Sequence, residues 1–363
     1  MLWIDGLCEY EKREENPKIQ RQIVPLKKNG GSLRLDIPHH GLVSIPLQED
    51  SSSGNIYPTG SLKDVLIAHG SFRIAMQSWT QKKKEDPLEQ AVGEVKAISL
   101  FFPDVRSEHL RICMAAWLGV LCTVDDLLEM MRPHEAENAI LETIATLQDN
   151  ERNNKKIYEV SPKATVCSLM SLFQNHCCQF LSDAAAKDFF REICTVFCGF
   201  MQEIKFQQGY LKRDMQNYME IRTRTIGVAP FFSLIRCDLF PPDYYPDSIL
   251  AIQKAVNVAV GLQNDLVGLE KDMDEQEPMN AVFVSMEELL RKEEMKGTKL
   301  ADTIAAVCSL HNCSIAEVVQ MHQRILQAAG EESEIIVATS QLLFTETHLR
   351  WCTTAKRYRT HLE

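Results

Sequence analysis

The chain has 363 residues, 45% of them hydrophobic and 25% charged, enough for one large domain or two small ones with a sizeable core. Its 39 basic side chains against 50 acidic ones leave a formal charge of -11 at pH 7. That balance excludes a surface that grips duplex nucleic acid or an anionic membrane by displacing counterions, because both need a basic face.

The N-terminal run MLWIDGLCEYEKREENPK lacks the basic cluster and following apolar core of a secretory signal. The longest apolar stretch near the middle, AAWLGVLCTV, runs straight into DDLLE and falls well short of the roughly 20 residues that span a bilayer. A cytoplasmic protein with no membrane contact is expected. Its 12 cysteines are then expected to be reduced, buried structural thiols. Cys177 and Cys178 are adjacent, Cys194 and Cys198 are one helical turn apart, and Cys308 and Cys313 flank no histidine pair of zinc-finger spacing.

Residues 1–60 hold NGG, SSSG, Pro38, Pro46 and Pro58 between short alternating runs, SLRLDI and LVSIPL. They read as an extension of loops with a hairpin. From residue 61 the apolar period becomes that of helices, in LKDVLIAHGSFRIAMQSW, SEHLRICMAAWLGVLCTVDDLLEMM and DAAAKDFFREICTVFCGFMQEIKFQQGYL. Further helices are predicted from Asp247 to Met273 and from Met286 to Met295. Ser314 reads as an N-cap before IAEVVQMHQRILQAA, closed by Gly330, and a last helix starts near Glu332 and reaches at least Trp351. The polar stretch from Gln148 to Lys156 reads as a solvated loop. The sum is about ten helices and one all-α domain over 61–363.

Asp125 and Glu129 lie one turn apart at the end of an apolar helix, with Asp126 beside them. Such carboxylates repel one another unless a cation sits among them, and hard oxygen ligands at this spacing suit magnesium bridging to a phosphate. With 50 acidic residues, an acidic-acidic-x-x-acidic pattern arises about once per chain by chance, so alone it is no more than a solvated charged turn. The stretch VNVAVGLQNDLVGLEKDMDE adds Asn264, Gly268 and Asp272 at i, i+4 and i+8, one stripe over about 12 Å. It too follows a helix that is apolar at helical spacing, so two ladders of metal-ligating groups can face each other across a bundle.

Between them, YMEIRTRTIGVAPFF carries Arg222 and Arg224, guanidinium forks suited to diphosphate if they are not simply surface charges. Gly227 and Pro230 then break the helix, since proline removes a donor and clashes with the preceding turn. Carbonyls left unpaired at the break would stabilise a cation inside a cavity; an ordinary kink is the plain alternative. Near the C-terminus Arg357 and Tyr358 follow Trp351.

These four pieces, in this order, resemble the class I terpene synthases, above all the microbial and fungal-type sesquiterpene synthases. Asp125, Asp126 and Glu129 match the family's DDxx(D/E) motif. Asn264, Asp265, Gly268, Lys271 and Asp272 match its NDxxSxxKE motif, with glycine in place of serine and aspartate in place of glutamate. Arg222, Thr225 and Gly227 match its RxxTxG segment, in which the arginine senses diphosphate and the helix break acts in ionisation. Arg357 and Tyr358 match its terminal RY pair.

The resemblance implies a single α-helical bundle of the class I terpenoid synthase type, preceded by a mostly irregular extension, and a homodimer is compatible with it. It implies three magnesium ions, with manganese as a substitute, held by Asp125, Glu129, Asn264, Asp272 and a water at Gly268. Asp126 and Asp265 stand behind these ligands. The substrate is then a prenyl diphosphate bound by Arg222, Lys271, Arg357 and Tyr358, with Asp125, Asn264 and Arg222 catalytic. Aromatic faces steer the cation, and the wall candidates are Trp117, Phe102, Phe200, Phe231 and Trp351. No DxDD sequence is present, which argues for ionisation rather than protonation, and a single domain points to farnesyl diphosphate and a sesquiterpene. The rivals are a chain-elongating prenyl diphosphate synthase, disfavoured by the Asn264 start of the second motif, and a non-catalytic helical protein that has kept the scaffold.

Overall fold

A computed structural model describes residues 18–26, 31–39, 61–77, 86–148, 162–241, 244–291, 300–328 and 331–355. Two strands, β1 (Lys18–Pro25) and β2 (Ser32–His39), precede twelve helices among the described residues. These are α1 (Ser61–Gln77), α2 (Pro87–Phe101), α3 (Glu108–Glu129), α4 (Pro133–Gln148), α5 (Pro162–Cys177) and α6 (Asp183–Gln207). Then follow α7 (Met215–Thr225), α8 (Ala229–Leu239), α9 (Asp247–Glu275), α10 (Ala281–Arg291), α11 (Leu300–Gln327) and α12 (Glu332–Thr354).

Capping chemistry fixes where several of these begin. Asp86 accepts from the Leu88 amide at 2.9 Å with Pro87 in the first helical turn, where a missing N–H costs nothing. Ser107, Ser182 and Asp214 accept in the same way from Leu110, Ala185 and Asn217, starting α3, α6 and α7. Ser314 is no N-cap, contrary to the sequence expectation. It lies buried inside an unbroken α11, its hydroxyl donating to the Leu310 carbonyl one turn back at 3.1 Å. Burial of Thr303, Ile304 and Val307 before it and Ile315 and Val318 after it keeps the helix continuous. The helix expected from Met286 begins earlier, at Ala281.

A hairpin is present in the N-terminal extension: the SLRLDI run pairs with Lys18–Pro25, which the sequence reading did not single out, and LVSIPL lies outside the described residues. β1 and β2 pair antiparallel with Arg21 opposite Asp36, joined by an ion pair of 2.8 Å. Leu33, Leu35 and Ile37 alternate inward and are buried, each worth roughly 1.5–3 kcal/mol against exposure. They share one apolar cluster with Tyr218 and Ile221 of α7, Leu262, Leu266 and Leu269 of α9, and Val307 of α11. A second, larger cluster fills the space among α1 to α6, α8, the N-terminal half of α9, the C-terminal half of α11 and the N-terminal half of α12.

Two features set the approach of α3. Gly119 lies against Glu94 of α2, where an added Cβ would stand 2.7 Å from the Glu94 Oε1. Glu94 itself lies 2.6 Å from His69 Nε2 and accepts from Arg73 at 2.5 Å, so three helices meet at one carboxylate. Eleven cysteines are described and all are free; Cys178, Cys198 and Cys313 are exposed, which corrects the expectation of uniformly buried thiols. Of the described helices, α11 alone is long and apolar enough to cross a bilayer by length and composition, and it packs here against α9, α10, α12 and β2.

Candidate active site

The site forms where the C-terminal ends of α3, α6 and α7 meet the C-terminal half of α9. Asp125 and Asp126 are partly buried near the end of α3, and Glu129 ends the helix at the rim. Partial burial, then Asp125, Glu277 and Asp126, push the Glu129 carboxyl up to about 7, against the pull of Lys271.

Arg222 is the hinge between the two ladders. Its Nη2 donates to Asn264 Oδ1 at 2.7 Å and lies 2.8 Å from Asp265 Oδ1, while its Nε is buried without a partner. Burial disfavours its charge, yet Asp265, Tyr218, Glu203 and Asp125 outweigh that and hold it firmly protonated. The α9 backbone comes close enough that a Cβ on Gly261 would meet the Arg222 stem at 3.1 Å.

Asp265 is 1% exposed and faces away from solvent. It accepts from the Tyr218 hydroxyl at 2.6 Å and from the Ala281 amide at 3.3 Å, as well as pairing with Arg222. Both its oxygens are engaged, and from this buried position it orients Arg222. Gly268 is buried on the same stripe as Asn264 and Asp272. Asp272 accepts from Asn280 Nδ2 at 2.8 Å; burial raises its carboxyl to about 6, with that hydrogen bond opposing. Lys271 pairs with Glu275 one turn on, at 2.8 Å. Arg357 and Tyr358 lie outside the described residues, as do Gly330, the SSSG run and the polar stretch at 149–156.

The helix break is real, and of the two residues expected to make it Gly227 does so while Pro230 does not. α7 ends at Thr225 and α8 begins at Ala229, with Gly227 at φ +68°, in the left-handed region. Pro230 sits in the first turn of α8, where it starts a helix rather than breaking one. The break does not leave all its carbonyls open: Gly227 O accepts from Trp117 Nε1 at 2.8 Å and Val228 O accepts from Phe231 N at 3.1 Å. The Thr225 hydroxyl is buried with no partner.

Of the aromatic wall candidates, Trp117 is therefore tied to the break. Phe102 stacks on Phe344 with centroids 5.0 Å apart and leans on Phe231, while Phe200 meets Phe197 edge to face. Trp351 is partly buried edge-on to Phe101.

Sequence reasoning missed Glu203, Tyr218, Asn280 and Glu277. Glu203, half-buried on α6, has its carboxyl raised to about 8 by burial and by Asp125, Glu277 and Glu129, against the pull of Arg222. A lone acid within the apolar run FCGFMQEIKF is the signal that marked it. Tyr218 stands one turn before Arg222 on α7, the spacing at which side chains share a face. Asn280 carried no local signal.

A divalent cation fits these residues. Asp125 and Glu277 add to the burial that raises the Glu129 and Glu203 carboxyls, and the buried Arg222 Nε has no acceptor. Among the described residues no three Asp, Glu, His or Cys side chains converge closely enough to enclose an ion alone. Ions here would be completed by the Asn264 amide, water and substrate oxygens, as magnesium prefers. A separate cavity of about 170 Å³ lies toward the other end of α6, lined in part by Asp188, Arg191, Arg236 and Tyr245, whose charges pair with one another.

A helical bundle with an acidic cluster on one helix, an Asn–Asp ladder on another and an arginine between them defines a terpenoid-synthase-type scaffold. Residues 116–327, more than half of the chain, match the family described as Terpene synthase family 2, C-terminal metal binding, and the chain belongs to that family. A curated relative, the (-)-beta-caryophyllene synthase ((2E,6E)-farnesyl diphosphate cyclizing) of Saccharothrix espanaensis, is 26% identical over 193 residues. The match covers 51% of this chain and 52% of the relative, so the chain spans about half the length of the curated relative it matches.

Solved structures agree in fold. The linalool/nerolidol synthase of Streptomyces clavuligerus, in complex with 2-fluorogeranyl diphosphate, superposes with a TM-score of 0.62 at 16% identity, over 85% of this chain and 100% of that one. The 2-methylisoborneol synthase of Streptomyces coelicolor A3(2), in complex with Mg2+ and geranyl-S-thiolodiphosphate, gives 0.60 at 12% identity, over 83% and 95%.

Proposed function

We propose that the chain is a class I terpene synthase that ionises farnesyl diphosphate with Mg2+ and directs the cation to a sesquiterpene and diphosphate. The observation that carries this is the position of Arg222, joined to Asn264 and Asp265 on one side and facing the Asp125 cluster on the other.

In this reading Asp125 and Glu129 hold metal from α3, while Asn264, Asp272 and a water over Gly268 hold it from α9. Three Mg2+ ions, replaceable by Mn2+, supply Lewis-acid neutralisation of the leaving group. Arg222 turns its free Nε and its fork from Asn264 toward the diphosphate, and Asp265 with Tyr218 keeps the fork aimed. Lys271, Arg357 and Tyr358 bind the same diphosphate, with Lys271 exchanging Glu275 for it. The allylic cation left behind meets the faces of Phe102, Phe231, Phe200 and Trp351, while Trp117 holds the helix break in place. The farnesyl chain length is supported by the name of the curated relative and by the single-domain reading of the sequence, and ionisation rather than protonation by the absence of a DxDD sequence.

The test is turnover of farnesyl diphosphate alone with Mg2+, read by gas chromatography and diphosphate release, with geranyl and geranylgeranyl diphosphate in parallel. A sesquiterpene is expected. Asp125→Ala and Asn264→Ala should each slow it at least about a hundredfold, about 2.7 kcal/mol of barrier. Unchanged turnover in both variants, or product only when isopentenyl diphosphate is added, would sink the proposal.

A further inference from the structure

The motif helix α9 presents Asn264 to the site, while the residue before it, Gln263, points about 100° around the helix into a polar chain that is buried at Gln263, His311 and His348 and reaches the surface at Asn312. Gln263 Nε2 donates to the Thr345 carbonyl at 2.9 Å and lies 3.2 Å from His311 Nε2; its Oε1 lies 2.9 Å from His348 Nδ1. His311 Nδ1 is 2.9 Å from Asn312 Oδ1. The Asn312 amide then closes on the hairpin, its Oδ1 accepting from the Asp36 amide at 2.8 Å and its Nδ2 donating to the Arg34 carbonyl at 3.1 Å. That pair of bonds is what a neighbouring strand would offer the open edge of β2, so one side chain takes the place of a third strand.

The proton inventory closes in one way. Gln263 donates to His311 Nε2, so that nitrogen is unprotonated and Nδ1–H donates to Asn312; His348 Nδ1–H donates to the Gln263 carbonyl oxygen. Both histidines are then neutral, in keeping with the burial that pushes His311 down to about 4 and His348 to about 3. Every link has its partner, so the chain holds a single arrangement. Leu262 and Leu266, which flank the motif residues on α9, pack in the same cluster as Leu33 and Leu35 of the hairpin.

We infer that the β1–β2 hairpin positions Asn264 for the proposed reaction, acting through Asn312, His311 and Gln263 on the rotation of α9; this rests on the functional reading of Asn264 above. Asn312 is a positioning residue. The hairpin lies outside the matched family segment, so its contribution to α9 comes from beyond that segment.

The test is calorimetric titration of the full chain with Mg2+ at fixed inorganic diphosphate, alongside hydrogen exchange. Asn312→Ala should raise the Mg2+ half-saturation about three- to tenfold, below the range for a group in direct contact with a ligand, and should speed exchange of the Asp36 amide. Asn312→Asp keeps the acceptor toward Asp36 and His311 but loses the donor to Arg34, and should fall between wild type and alanine. Leu33→Ala removes apolar burial and leaves the polar chain intact; it should lower the melting temperature without moving the half-saturation. Wild-type binding in both Asn312 variants, or an equal loss in Leu33→Ala, overturns the inference while the functional reading stands. No binding of Mg2+ and diphosphate by the wild type overturns the functional reading and this inference with it.

Discussion

Asn280 donates to the Asp265 carbonyl and to the Asp272 carboxylate, both at 2.8 Å, and its own oxygen accepts from the Val282 amide at 2.9 Å. The last rung of the α9 ladder is thus aimed by a side chain eight residues beyond it. Asn280→Ala should raise the Mg2+ half-saturation about tenfold and cost about 1–3 kcal/mol of stability, since a buried carbonyl and carboxylate lose their donor. Calorimetry with inorganic diphosphate and denaturant unfolding would check the two parts separately. At this scale the residues legible in the sequence were those with fixed local spacing: Asp125 with Glu129, and Asn264 with Gly268 and Asp272. Tyr218, Glu203 and Asn280 are joined to them across helices, and nothing in the local pattern reveals a partner 47 residues away, as Asp265 is from Tyr218.

Between α7 and α8 the chain turns on one residue. At Gly227 a side chain would face both a positive φ and the Leu121 Cδ2 at 2.5 Å. Gly227→Ala should destabilise the fold by about 2 kcal/mol or more, the left-handed strain adding to a clash that Leu121 relieves only by leaving its rotamer. Thermal unfolding gives the first measure and turnover the second; turnover should fall further than stability, because Trp117 then loses its hold on the Gly227 carbonyl. The sequence located this break and named Gly227 with Pro230, but gave the proline as the reason, and its missing N–H matters only inside a helix. The error at Ser314 has the same root. A serine before an apolar run carries the mark of a cap, and only tertiary burial on both sides tells that the helix passes through it.

At the scale of the fold, three histidines among the described residues are held neutral: burial lowers His176 and His311 to about 4 and His348 to about 3, with Arg222 and His311 adding to the effect on His348. A histidine lowered in the folded state contributes its full stability above the unfolded value near 6.5. It loses that stability as pH falls from there toward the folded value, because the unfolded chain takes the proton first. For His348 the loss by pH 5 is on the order of 2 kcal/mol. His348→Asn, which can keep a donor toward Gln263, removes that linkage. Denaturant unfolding at pH 8 and pH 5 should therefore show the wild type's advantage over the variant shrinking by about that amount on acidification. The all-helical bundle was readable from periodicity alone, and the β2 strand of the hairpin from its alternation. That the hairpin joins the core behind α9 was not, since its inward face matches partners drawn from α7, α9 and α11.

The meeting of Gly119 with Glu94 has a consequence for how this sequence can vary. A side chain at 119 would push against the Glu94 carboxylate, and any move of that carboxylate changes its contacts with both His69 and Arg73. Four positions on three helices are thus coupled through one carboxylate, so a substitution at any of them is felt at the other three.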